Sequence, residues 1–64
     1  MAGGVIVGIL RERHADHLVF RDGTKIFLPA KLASSQFALG TGLTVAYTLK
    51  KDGIKLADNI WRCD

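Results

Sequence analysis

The pair Asp22-Gly23 stands between two short runs, His17-Leu18-Val19-Phe20-Arg21 and Thr24-Lys25-Ile26-Phe27-Leu28. Asp-Gly tolerates positive φ at both central positions of a tight turn, so the segment reads as a β-hairpin closed by a two-residue turn. Side chains alternate faces along a strand. Leu18, Phe20, Ile26 and Leu28 therefore point into a core, and Val19, Arg21, Lys25 and Phe27 point out of it. A second pair, Asp52-Gly53, follows the clearest alternating run in the chain, in which Leu43, Val45, Tyr47 and Leu49 interleave with Thr44, Ala46 and Thr48. Two hairpins of this kind commit so short a chain to an all-β fold.

The remaining segments fill in the order. Residues 5–13 are rich in β-branched residues and form a first strand. Gly8 inside it marks a bend or bulge, since glycine packs nothing and allows close backbone approach. His14-Ala15-Asp16 is a turn, residues 17–21 the second strand and 24–28 the third. Pro29 stops the ladder because it has no N–H to donate. Residues 30–39 have a helical flavour, but they are few and interrupted by Ser34-Ser35, which favours one or two helical or 3₁₀ turns. Gly40-Thr41-Gly42 turns the chain into a fourth strand, 43–50, and a fifth runs from 54 to about 61. The alternation of the fifth slips around Asp58-Asn59, which predicts a bulge. Five strands with the helical element between the third and fourth predict a five-stranded OB-like small β-barrel. An SH3-like barrel is the runner-up; its 3₁₀ turn usually lies between the fourth and fifth strands, and here a tight Asp-Gly turn joins them.

At 64 residues the chain makes one domain and buries only about 60% of its unfolded surface. One such core supplies a net stability of about 3–5 kcal/mol, so self-association would be a natural supplement. With 48% hydrophobic and 23% charged residues, it folds rather than staying disordered. Nine Lys and Arg oppose six Asp and Glu. Asp22 and Asp52 sit in turns and Asp64 ends the chain, which leaves the strand surfaces basic and suited to phosphate, nucleic acid or an acidic protein. The single cysteine, Cys63, cannot form an internal disulfide and fits a reducing cytoplasm. The apolar opening lacks a basic start and a small-residue cleavage site, and it is too short to span a bilayer. A cytoplasmic protein without membrane association is the expectation.

Several segments together resemble a known group. They are the Gly4-Val5-Ile6 start, the Asp22-Gly23-Thr24 hairpin ending in Leu28-Pro29, Leu39-Gly40-x-Gly42-Leu43-Thr44-Val45-x-Tyr47, Lys51-Asp52-Gly53, and Ala57-Asp58-Asn59-Ile60. From Gly4 to Ile60 the chain resembles the small bacterial β-barrel proteins grouped as DUF1344, a resemblance that implies a fold and no known activity. More distantly it is similar to bacterial translation initiation factor 1, a single small OB domain that binds RNA. That likeness rests on the Gly-Val first strand, the turn-linked hairpin, the short helix and the turn before strand four.

The outer face of the first hairpin is the sharpest functional candidate. Bases stack on aromatic rings while cations meet phosphates, and OB folds bind oligonucleotides on the strand-two to strand-three face. Arg21, Lys25 and Phe27, with Val19, form that platform, and Arg11, Arg13 and Lys55 extend it. Against this stands a structural role for Phe27 under a terminus, the short helix or a sister subunit. Trp61, beside Arg62, either stacks on a base, anchors a partner or closes the barrel bottom. His14, Asp16 and His17 have the composition of a metal site, but a turn does not force both imidazoles to one point and no second cluster accompanies them. Ser34-Ser35 lack a nucleophile elbow and read as cap or turn residues. Gly40-Thr41-Gly42 feeds a strand rather than a helix, so it is no phosphate loop. The expectation is a non-enzymatic barrel, without metal or cofactor, that binds single-stranded nucleic acid or RNA. The competing reading is a protein-interaction or self-assembling module, acting as an accessory or inhibitory subunit of a larger complex, with Val19, Phe27 and Trp61 as its interface.

Overall fold

The computed structural model describes residues 2–33 and 36–63. Five strands run in the order β1 (Ala2–Arg13), β2 (His17–Phe20), β3 (Lys25–Phe27), β4 (Gly42–Leu49) and β5 (Lys55–Arg62). They close into a barrel of order β1-β2-β3-β5-β4. All neighbours are antiparallel except β3 and β5, which meet in parallel at Phe27 and Leu56. The protein is thus an all-β, closed five-stranded barrel. Its strand order and the tight turn between β4 and β5 are those of the OB-like arrangement, not of the SH3-like alternative.

Strand β1 makes closure possible by serving two neighbours. Ala2 through Ile9 pair with β4 in an uninterrupted register, and Leu10 through Arg13 pair with β2. The register shift lies between Leu10 and Glu12, so Arg11 is the extra residue. The bulge expected at Gly8 is displaced to that point, where the strand changes partners. Gly8 itself is the site of a close approach to a core ring. A Cβ built there would stand 2.5 Å from Cδ2 and 2.8 Å from Cγ of Phe20, and Phe20 is fully buried.

The core forms from the inward phase of every strand: Leu10, Leu18, Phe20, Ile26, Leu28, Leu43, Val45 and Ala57. Removing a Leu, Ile or Phe side chain of this kind from water contributes about 1.5–3 kcal/mol. Ile6, Leu32, Phe37, Tyr47 and Ile60 pack around it half-buried. The slip expected near Asp58-Asn59 is present. Ala46 faces Asn59 and Tyr47 faces Ala57, which leaves Asp58 as the extra residue, its carboxylate accepting a 2.8 Å hydrogen bond from the Thr48 hydroxyl.

Both hairpin turns differ from the expected two-residue form. The Gly23 N–H donates to the Phe20 carbonyl (2.9 Å) and the Phe20 N–H to Thr24 (2.8 Å). Gly23 has φ +93°, whereas no non-glycine residue among the described residues has positive φ. Arg21-Asp22-Gly23 is therefore a three-residue loop, a turn ending in a left-handed glycine. Lys51-Asp52-Gly53 repeats it with Gly53 to Lys50 at 3.0 Å and Lys50 to Ile54 at 2.8 Å. The third residue is what the pattern of apolar residues requires. Leu18 faces Ile26 and Val19 faces Lys25, whereas a two-residue turn would shift the register by one and set Phe27 opposite Leu18, inside the barrel.

The helical element between β3 and β4 is reduced to single turns. Backbone bonds run from Leu32 to Pro29, Gln36 to Ala33 and Thr41 to Ala38, and there is no α-helix among the described residues. Ser34-Ser35, read as cap or turn residues, lie outside the described residues. The segment lays Leu32 and Phe37 against the core, which is enough to cover it.

Replacing Gly8 with alanine forces a carbon into the space of a buried ring that cannot withdraw. Overpacking of this kind costs about 1–3 kcal/mol, so G8A shifts the urea midpoint sharply downward; an unchanged midpoint would show that β1 and Phe20 do not meet as described.

Candidate nucleic-acid interface

On the outside of β2 the alternating phase presents His17 and Val19, on β3 it presents Lys25 and Phe27, and Arg21 opens the loop between the two strands. Cross-strand pairs place His17 beside Phe27 and Val19 beside Lys25. The His17 and Phe27 rings lie 5.3 Å apart, tilted by 35°. His14, from the turn before β2, stacks on His17 at 4.4 Å and 15°. The Lys25 ammonium stands 5.9 Å from the centroid of the Phe27 ring, within cation–π range. One face thus carries a row of three rings with a cation over its end.

Two carboxylates hold the histidines. Glu12 Oε1 bonds His14 Nε2 at 2.9 Å, and Asp16 Oδ1 bonds His17 Nδ1 at 2.7 Å. The hydrogen bond with His14, aided by the Arg11 guanidinium, holds the Glu12 carboxyl below the usual carboxylate range, and that with His17 does the same for Asp16. The two imidazoles are thus engaged with separate carboxylates and with each other, and no group of three or more His, Cys, Asp or Glu able to hold a metal ion occurs among the described residues. His17 was legible as a member of this face, because it opens the second strand two residues before Val19 in the outward phase.

The other candidate residues divide. Arg21 and Lys25 are exposed and Phe27 is half-buried. Val19 points outward but is only 7% exposed, which corrects the expectation that it offers open apolar surface. It sits between Glu12 and Lys25 on the flanking strands. Arg11 pairs with Glu12 at 3.4 Å. Arg13 donates to the Phe37 carbonyl and so ties the segment before β4 to β1. Lys55 stands over the Tyr47 ring at 5.9 Å, an aromatic partner other than Phe27. Trp61 does not close the barrel. It is 46% exposed and faces Thr44, which in turn faces Val7, so it belongs to the outer surface of β1, β4 and β5. Val5 and Val7 on that surface are 63% and 62% exposed. The hairpin face therefore keeps Arg21, Lys25 and Phe27, gains His14 and His17, and leaves Trp61 and Lys55 elsewhere.

Searches against protein-family models, curated proteins and solved structures found no match to the chain. Among the described residues no helix is long and apolar enough to cross a membrane.

The loop that positions Arg21 has its own electrostatic support. Asp22 Oδ1 accepts the Thr24 N–H at 2.9 Å, and this bond holds the Asp22 carboxyl below its usual range. A depressed folded value means stability that is present above the unfolded carboxylate range and lost as pH falls through the folded value. D22A accordingly melts at a lower temperature than the parent at pH 7, and circular-dichroism melts show the gap closing as the pH falls below that range. A gap independent of pH would contradict this role.

Proposed function

We propose that this barrel is a non-enzymatic binder of single-stranded nucleic acid, RNA included, with the outer face of the β2–β3 hairpin as its platform. The observation that carries the reading is the Phe27 ring, flanked by His17 at 5.3 Å and the Lys25 ammonium at 5.9 Å, with Arg21 exposed at the start of the same loop. Rings accept base faces without regard to sequence, and cations beside them meet the phosphates between successive bases. The OB-like strand order supports it, since that fold uses this face for oligonucleotides. The resemblance to translation initiation factor 1 points to RNA. A net charge of +3 favours encounter with a polyanion. A cytoplasmic location completes the reading, in keeping with a lone exposed thiol at Cys63.

The test is a fluorescence titration with labelled oligouridine and oligothymidine at low salt. Binding weakens as salt rises, because each neutralised phosphate releases counterions, with a slope of about −0.7 per phosphate on a log–log plot for single strands. R21A and K25A each reduce that slope by about one such unit, and F27A weakens binding by about 1–3 kcal/mol, the range of a lost base stack. Circular dichroism of F27A separates lost stacking from lost fold. No binding at low salt, or binding indifferent to all three changes, removes the proposal.

A further inference from the structure

The most exposed strand of the barrel has an unpaired edge. Leu10 donates its N–H to the Thr41 carbonyl on the β4 side, whereas the Ile9 carbonyl accepts the Arg21 N–H on the β2 side. The register with β4 is unbroken from Ala2 to Ile9, so backbone direction alternates along it. Gly3, Val5 and Val7 therefore aim their N–H and C=O groups away from β4. The β2 pairing begins only at Leu10, and among the described residues neither a strand pairing on that side nor a turn or loop backbone bond engages these groups. The same odd-numbered residues set Val5 and Val7 on the outer face.

Folded proteins blunt such edges with charges, proline or bulges. Residues 2–10 contain no charged residue and no proline, and the β1 bulge lies beyond them at Arg11. The free edge of β5 shows the contrast, since it carries Asp58, Asn59 and Arg62 and a bulge. We propose that the Gly3–Val7 edge of β1 pairs antiparallel with the same edge of a second copy of this chain, forming a two-fold dimer with a continuous six-stranded sheet.

An antiparallel edge is complementary to itself about a two-fold axis. Centred on Val5, the pairing sets Val5 opposite Val5 and Gly3 opposite Val7, and every outward N–H of those residues meets a carbonyl. It also separates the charges. Arg11 and Arg13 lie at one end of β1, so antiparallel pairing carries the two copies' arginines to opposite ends of the contact, whereas parallel pairing would bring them together. The monomer exposes 4125 Å², and a contact of one short strand lies at the small end of specific interfaces, which makes the dimer concentration-dependent.

Sedimentation velocity on the 64-residue chain, across roughly 1–500 μM to span weak affinities, is expected to show conversion from monomer to dimer. Val5→Pro removes an N–H that faces solvent in the monomer, a place where edge strands accept proline, and keeps the chain monomeric. Val5→Lys keeps the β1–β4 pairing and sets like charges opposite each other across the axis, with the same result. In the parent, exchange of the Gly3, Val5 and Val7 amides slows as concentration rises. A chain that stays monomeric throughout overturns the proposal. So does a folded Val5→Pro variant that dimerises like the parent, or amide exchange at these three positions that ignores concentration. A dimer lost in Trp61→Ala but retained in Val5→Pro also overturns it, in favour of packing through the outer face.

Discussion

Everything in this barrel depends on the seating of Phe20 beneath Gly8. The absence of a side chain at Gly8 lets β1 pass over a fully buried ring closely enough to pair with β4 on one flank and β2 on the other. That single approach joins two three-stranded halves into a closed structure. The bulge at Arg11 follows from it, because a strand that changes partners must change direction. With few core residues available, the large ring of Phe20 is a major part of what the interior has to offer.

The hairpin face inherits its geometry from that core. Leu18 and Ile26 must oppose each other inside, so His17 and Phe27 must oppose each other outside, and the three-residue loop supplies the register that allows both. The same alternation places Lys25 over Phe27 and leaves Arg21 at the mouth of the loop. The acidic partners of the two histidines keep their rings in position without drawing on the cations beside Phe27. Arg13, by contrast, is committed to the segment before β4, so not every basic residue on the surface is free for a ligand.

Most of the architecture was legible in the chain. Alternation gave five strands close to their observed positions, Asp-Gly gave two hairpins, and the slip at Asp58-Asn59 gave a bulge. The turn type was misread for a physical reason. Asp-Gly is compatible with both two- and three-residue loops, and only the facing of Leu18 and Ile26 distinguishes them. Residues 30–39 were read as one or two helical or 3₁₀ turns, and the described residues form single turns that lay Leu32 and Phe37 on the barrel. At the candidate site, Arg21, Lys25 and Phe27 were readable from period two. The burial of Val19 and the recruitment of His14 were not, since both depend on neighbours from other parts of the chain.

The sequence by itself determined the class of fold, the inward set of apolar residues and the outward phase of the hairpin, because alternation and turn chemistry are local. Which strands meet was decided only in three dimensions. The parallel contact of Phe27 with Leu56, the shared strand β1 and the bulge at Arg11 arise from closing a sheet on itself. So does the unpaired edge from Gly3 to Val7. Its residues are simply a β-branched strand in the sequence, and their exposure follows from where β2 begins to pair.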